Sequence, residues 1–349
     1  MRYDYYPNKT SINYAEGFRV EYHKSFKVVE VLDTEDLKKV LHRYYLVEQG
    51  TKVPDLAKEN EIIRVPLASL SCLSTTQVSY LARLGFSNII SGVGHADMIN
   101  DSALLDQIAN GWTMEITRSG QLDKERVLEA NTNVLMANEF DYLSVSSIES
   151  LGIPCIYTTE YLENSALARA EWIKFFALFF NAEEKADQIF NLIEKNYVEV
   201  LKLTQELSSK PTVMFGSYYQ GSWYVPGGLS LVSKLIEDAG AHYVYRDQET
   251  KKNVHIDSES LMERMNSINW WGFILSKEGN PVESDFLAGD DRMLQLAKEK
   301  QLSYFFSNSQ STDYFGAANL DADVLLLDLS KIFHPALFPQ HQFVYFKPY

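Results

Sequence analysis

The sequence predicts an α/β protein of two lobes joined by one long helix, with a small β extension ahead of the first lobe. Three observations carry this. Thr158 to Ser209 runs without proline or glycine, and within it Ala186, Ile189, Phe190, Ile193, Tyr197, Val200 and Leu201 recur at three- and four-residue spacing. That periodicity marks one face of a helix over Ala182–Leu207, about 39 Å long at 1.5 Å per residue, a rod suited to joining two lobes. Ahead of it, short apolar runs alternate with helical segments, the order of a mostly parallel sheet with helices on both faces. Behind it the same alternation begins again.

Taken in order, residues 1–60 read as the β extension packed on the first lobe, from the strand runs Phe18–Tyr22, Phe26–Leu32 and Arg43–Gln49. The first lobe spans 61–160. Its strands are expected at Glu61–Leu67, with Pro66 marking an edge or an end, and at Asn88–Val93, Val134–Ala137 and Ile153–Tyr157. Helices are expected from a Ser74 or Thr75 cap to Leu84 before Gly85, over Leu122–Glu129, and over Val145–Leu151 before Gly152. Residues 161–209 form the helical connector, in which Trp172, Phe175, Phe176, Phe179 and Phe180 read as packing. The second lobe, 210–349, opens on the strand Pro211–Phe215 and the aromatic, glycine-rich loop Gly216–Gly228. Helix Leu229–Ala239, helix Glu259–Met265 under a Ser258 cap, strand Trp270–Leu275, helix Asp291–Glu299, strand Leu302–Phe306 and helix Val324–Ile332 follow. The tail after His334-Pro335 adds an edge strand or a surface cover. Both halves share one plan, with no repeat at the level of residues.

Composition narrows the function. Apolar residues make up 46% and charged residues 23%, and no apolar run reaches membrane-spanning length. The formal charge of -15 repels nucleic-acid phosphates across most of the surface. Cys72 and Cys155 lack metal-ligand spacing and read as buried free thiols. The start, MRYDYYPNK, has no apolar stretch of the kind found in a secretion signal. No P-loop, GxGxxG, HExxH or nucleophile elbow is present, so no catalytic residue and no metal-ligand set is assigned.

Four segments together carry a family resemblance: IIRVPLASLSCLSTTQVSYLARLGFSNIISGV at Ile62–Val93, LGIPCIYTTEYLENSALARAEWIKFFALFF at Leu151–Phe180, WYVPGGLSLVSKLIEDAGAHYV at Trp223–Val244 and KIFHPALFP at Lys331–Pro339. In this order they resemble the periplasmic substrate-binding proteins of ABC importers for iron siderophores, haem and cobalamin, in a Bacteroidetes-type branch, over roughly residues 60 to 340. The resemblance implies two Rossmann-like lobes on a helical backbone, metal-receptor-like, with ligand held in the interlobe cleft and no cofactor of the protein's own. It implies a small-molecule, macrocycle or metal-chelate cargo, an inner-membrane permease as partner and a monomer. It also implies a periplasmic location with a lipid anchor, the signal segment being absent from this chain. Each lobe of such proteins presents a glutamate to the permease; the matching segments KERVLEANTNVLM and IDSESLMERMNSINWWGFIL place these at Glu125 and Glu259, with Asp257 a lesser candidate. Where the family has Pro-Asp, this chain has Thr132-Asn133.

Ligand contacts are expected from the aromatic loop, where Tyr218, Tyr219, Trp223 and Tyr224 combine rigid apolar area with polar tips. Alternation within the loop turns some of them inward. His95, in GHAD just beyond a strand end, lies where open α/β sheets hold ligands. Tyr161 after the last first-lobe strand and Tyr314 beside Phe315 complete the set. The scarcity of Lys and Arg in these loops favours cobalamin or haem over an anionic ferric siderophore. Two other classes fit less well: an enzyme acting on a bound cofactor or sugar, and a non-transport interaction module.

Overall fold

Runs of β-branched and aromatic residues after Gly17 form a four-stranded sheet, β1 (Phe18–Tyr22), β2 (Phe26–Asp33), β3 (Asp36–Glu48) and β4 (Ile62–Val65), in that order and antiparallel except for the β3–β4 pair. The computed structural model describes residues 4–287 and 289–349, so the first three residues of the expected extension lie outside the described residues. Two expectations change. Arg43–Gln49 is the second half of a 13-residue strand whose start is masked by Asp36, Lys38 and Lys39. Glu61–Leu67, read as the first strand of the lobe, supplies β4 and completes the N-terminal sheet instead.

The parallel sheet of the first unit begins with β5 (Leu70–Cys72), three residues that are too short to show a period. Its other strands are β6 (Ile90–Val93), β7 (Met114–Glu115), β10 (Leu135–Asn138) and β11 (Cys155–Thr158), and a ribbon of β8 (Thr117–Arg118) and β9 (Gln121–Leu122) lies between β7 and β10 in sequence. The spatial order is β11-β10-β5-β6-β7, all parallel. The chain therefore winds outward from β5 in both directions, and β5 and β10 flank the switch point beyond whose carboxyl ends ligands bind.

Helices α1 (Thr75–Arg83), α2 (Ser102–Ala109), α3 (Lys124–Glu129) and α4 (Tyr142–Glu149) make the crossovers. Ser74 caps α1, its Oγ accepting the Thr76 N–H at 3.2 Å while the Gln77 side chain returns to the Ser74 N–H at 3.2 Å. Helix α3 starts later than expected because Leu122 pairs in the ribbon and Asp123 caps the helix. Cys72 and Cys155 are buried free thiols.

Helix α5 (Ala166–Leu178) and the residues after it bury Trp172, Phe175, Phe176, Phe179 and Phe180, the packing role expected for them. Carboxylates bind the N-terminal segment to this helix: Glu163 Oε1 accepts from the Gly17 N–H at 2.9 Å, the Glu16 N–H at 3.0 Å and Trp172 Nε1–H at 2.9 Å. Burial nonetheless wins and pushes the Glu163 carboxyl above its ordinary range. A carboxyl raised in the folded state contributes stability below its unfolded pKa and loses it as pH rises through the folded value. Glu163→Gln is therefore expected to flatten the fall in stability above about pH 4.3, measured by denaturant melts between pH 4 and 8; an unchanged slope would refute the assignment.

Asn181, at φ +54°, separates α5 from α6 (Glu183–Gln205), 23 residues and about 34 Å long. Ala186, Phe190, Ile193, Tyr197 and Val200 are its buried face. The first unit runs to Glu163 and includes Leu167–Asn191; the second holds Asn164–Ala166 and Leu192–Tyr349, so α6 passes from one to the other.

The second unit contains β12 (Thr212–Phe215), β13 (Ser217–Tyr219), β14 (Ser222–Pro226), α7 (Leu231–Asp238), β15 (His242–Tyr243), β16 (Asn253–Ile256), α8 (Ser258–Arg264), β17 (Trp270–Leu275), α9 (Glu283–Phe286), α10 (Asp291–Glu299), β18 (Ser303–Asn308), α11 (Ala322–Phe333) and β19 (Lys347–Pro348). Its main sheet has the order β15-β12-β17-β18-β19, parallel except for the C-terminal edge strand β19. Strands β12, β15, β17 and β18 thus repeat the order of β5, β6, β10 and β11. The tail is held by Asp328, whose carboxylate accepts the Tyr345 N–H at 2.7 Å and the Phe346 N–H at 2.9 Å.

Candidate functional site

In the first unit a cavity of about 720 Å³ opens beyond the carboxyl ends of β5, β6 and β10, at the switch point. Gly94 makes the approach of its walls, since a Cβ there would lie 2.4 Å from the Leu73 carbonyl oxygen. His95 leaves the end of β6 just beyond and lines the cavity, exposed. Thr117 Oγ1–H donates to the Gly94 carbonyl at 2.6 Å and fixes the ribbon whose turn supplies Gly120 and Gln121.

Polar groups form the floor. Ser74 and Thr75 stand at the start of α1, and Asn138 ends β10 with its Oδ1 accepting Thr158 Oγ1–H at 3.2 Å. Asp141 Oδ2 accepts the Asn138 N–H at 3.3 Å. Burial pushes the Asp141 carboxyl above its usual range, against the opposing pull of that N–H and of His95. The rim is apolar: Met98, Phe140 and Leu143 line it and are 44%, 66% and 87% exposed. Large apolar side chains left in water around a polar floor are what a ligand with a flat, apolar body and a few polar groups requires. No lysine or arginine lines this cavity.

The structure sorts the expected contacts. His95 belongs to the cavity. Tyr161 stands behind the rim, its ring edge-on to Phe140 at 5.0 Å, and burial pushes its hydroxyl up to about 12. In the second unit β13, β14 and β16 form a three-stranded antiparallel sheet in which side chains alternate between faces. Tyr219 and Tyr224 share the outer face with His255, the Tyr224 and His255 rings lying 4.3 Å apart. Tyr218 and Trp223 share the inner one.

Trp223 corrects its expectation as a contact. It is 0% exposed, packs on Trp271 at 4.9 Å and donates Nε1–H to Asp290 at 3.1 Å, so it is a core residue beneath the hairpin. Tyr218 covers it, half-buried. Tyr314, also half-buried, packs edge-on against Phe315 and Phe346 at 5.3 and 5.5 Å. A smaller cavity of about 360 Å³ lies beyond the ends of β17 and β18, lined by Lys277, Asn308, Gln310 and Lys347 among others. Its loop is pinned by Asn308, which donates to the Lys277 carbonyl at 2.8 Å and accepts the Lys277 N–H at 3.1 Å.

Glu125 and Glu259 are both exposed and occupy the same position in their helices, two residues after an aspartate cap. Asp257, not Ser258, caps α8, its carboxylate accepting Ser260 N–H at 2.9 Å and Ser260 Oγ–H at 2.7 Å. Among the described residues, no group of three or more His, Cys, Asp or Glu is placed to hold a metal ion, and no helix is long and apolar enough to cross a membrane.

Sequence reasoning missed Ser74, Asn138, Phe140 and Leu143 as cavity residues. The one local signal for Phe140 was its place two residues beyond a strand end, in NEFD.

Residues 70–321 match a family model described as periplasmic binding protein. An uncharacterised lipoprotein of Methanocaldococcus jannaschii is 26% identical over 329 residues, covering 88% of this chain and 76% of its own. A second lipoprotein of that organism is 24% identical over 342 residues, covering 94% and 83%. Among solved structures, a periplasmic haem-binding protein from Pseudomonas aeruginosa superposes with a TM-score of 0.61 at 15% identity, over 77% of this chain and 93% of that one. An ABC transporter substrate-binding protein from Listeria monocytogenes gives 0.56 at 15% identity, over 76% and 99%. At such identities these two speak for the fold.

Proposed function

The chain belongs to the periplasmic binding protein family, a family of solute-binding proteins, and from that premise we propose that it captures a conjugated macrocycle, haem or cobalamin, outside the membrane and delivers it to an ABC permease. The observation that carries the cargo is the first-unit cavity. Its apolar rim of Met98, Phe140 and Leu143 suits the face of a large ring, its polar floor suits peripheral hydrogen-bonding groups such as amides, and it holds no lysine or arginine to attract a ligand whose charge is concentrated at its metal centre, as in an anionic ferric chelate. His95 is assigned as a side-chain contact to the cargo. That the two similar archaeal proteins are lipoproteins supports a lipid-anchored, extracytoplasmic protein.

The test is a titration of the purified protein with haem, cobalamin and chemically different ferric siderophores, followed by absorbance and tryptophan fluorescence. Saturable one-to-one binding of one macrocycle is expected. Phe140→Ala is expected to weaken it by about ten- to a hundredfold, the worth of burying one aromatic face. His95→Ala weakens it without moving the haem absorption band, as a contact and not an iron ligand would. Tight binding of a siderophore with neither macrocycle bound would overturn the reading.

That second cargo has one observation in its favour. Lys277 and Lys347 both line the smaller second-unit cavity. Against it, Lys277 Nζ is already paired with Asp285 Oδ2 at 2.5 Å and Lys347 Nζ rests over the Phe306 ring at 5.3 Å.

A further inference from the structure

We propose that the N-terminal sheet, which lies outside the family match, is part of the binding apparatus, and that its His42 positions the wall of the first-unit cavity. The consequence for affinity rests on the reading above that this cavity holds the cargo; the positioning itself does not.

Strand β3 places His42 and Tyr44 on one face, two residues apart. That face meets β11, the edge strand of the parallel sheet. The Tyr44 hydroxyl accepts the Tyr157 N–H at 2.8 Å, which closes the outer side of that edge. The His42 ring stacks on the Tyr157 ring at 4.2 Å and 22°, with Tyr142, the first residue of α4, 5.6 Å from Tyr157. His42 Nε2 then reaches Glu139 Oε2 at 2.5 Å, and because a carboxylate only accepts, the imidazole donates.

Glu139 lies between Asn138 and Phe140, both of which line the cavity, in the turn that joins β10 to α4. Asp141, Leu143, Ser144 and Ser147 of the same segment line it too. The outer side of this stretch is thus held by the N-terminal sheet while its inner side faces the ligand. Phe140 and Leu143 are mostly in water and contribute little anchoring of their own. Without the His42 tether the turn at Glu139–Leu143 would keep its inner contacts, Asn138 N–H to Asp141 and Phe140 on Tyr161, but lose its outer support, and binding would carry the cost of tightening it.

The test compares His42→Ala, Glu139→Ala, the double variant and His42→Gln in the full chain. Amide hydrogen exchange over residues 138–147 is read without ligand, and haem affinity by absorbance titration. Each alanine variant is expected to speed exchange in that segment, with β17 and β18 unchanged, and to weaken haem binding roughly tenfold. The double variant should be no worse than His42→Ala alone, since Glu139 acts on the wall through its contact with His42. His42→Gln, which keeps an N–H donor, should recover part of both losses. Unchanged exchange over 138–147 in His42→Ala, additive losses in the double variant, or exchange that rises throughout the unit would overturn the proposal. If the wild type binds cobalamin and not haem, affinity is read with cobalamin; if it binds neither, the cargo assignment falls and exchange alone decides whether His42 positions the wall.

Discussion

If Glu125 and Glu259 dock the permease, as the resemblance implies, reversal of both, Glu125→Lys with Glu259→Lys, is expected to abolish uptake while ligand affinity in solution stays within about twofold, because exposed charges act on partner recognition and neither side chain lines the cavity. The structure makes this a clean experiment. Each glutamate is exposed, and in each helix the start is held by the preceding aspartate: Asp123 accepts the Glu125 and Arg126 N–H groups, and Asp257 accepts from Ser260. Removing the glutamates leaves both caps intact. A lysine in the first turn opposes the helix dipole by only about 0.3–1 kcal/mol at an exposed site, too little to unfold either unit. A permease that presents arginines would lose two bidentate pairs and gain two repulsions. The double alanine variant should therefore fall between wild type and reversal. Transport by vesicles carrying the permease, scored alongside ligand affinity, checks it; undiminished uptake in the double reversal would remove both residues from the docking surface.

The equivalence of these two positions shows what the sequence could and could not convey. DKERVLE at 123–129 and DSESLME at 257–263 share an aspartate cap, a glutamate two residues on, an apolar pair and a second glutamate, a pattern too short to mark a repeat by itself, yet α3 precedes β10 and α8 precedes β17, which occupy matching places in their sheets. The repeat lies in strand order, which residue similarity does not record. The long helix was legible because 23 residues sample its period more than six times, and α1 because its cap and its Gly85 stop are local signals. Strand β5 was not, since Leu70, Ser71 and Cys72 are all buried in a sheet covered on both faces and show no alternation. Glu61–Leu67 looked more like a lobe strand than β5 did, and only pairing with β3 assigns it elsewhere.

The site was legible in part for a similar reason. A loop after a strand end is a local feature, and it located His95. Which ring of a hairpin faces inward depends on what lies beneath it, and for Trp223 that is Asp290, 67 residues on, which also takes the Ser258 hydroxyl and the Met293 N–H. The wall residue Phe140 owes its role to the switch point between β5 and β10, a property of topology that a single strand does not carry.

Lys27 takes the same lesson into stability. In FKVVEVL it reads as the polar member of an alternating strand, but it is 0% exposed. Its Nζ donates to the Leu178 carbonyl at 2.5 Å, Asn181 Oδ1 at 2.9 Å and Glu183 Oε1 at 2.7 Å, and it lies 4.7 Å from the Tyr6 ring. Three acceptors match the three protons of an ammonium, so the cluster joins β2 to the turn between α5 and α6 with every donor used. Burial pulls the Lys27 pKa down, and Glu183 is the charge that opposes it. Glu183→Ala leaves that ammonium buried with two neutral acceptors and is expected to cost about 3–5 kcal/mol, the usual penalty for stranding one member of a buried pair. Adding Lys27→Met to that variant removes the stranded charge and should recover most of the loss, because an apolar pair of similar volume stabilises a core about as well. Denaturant melts of the two variants check the argument. If Glu183→Ala costs less than about 1 kcal/mol, the range of an exposed pair, the contact is solvated and contributes little to holding the N-terminal sheet.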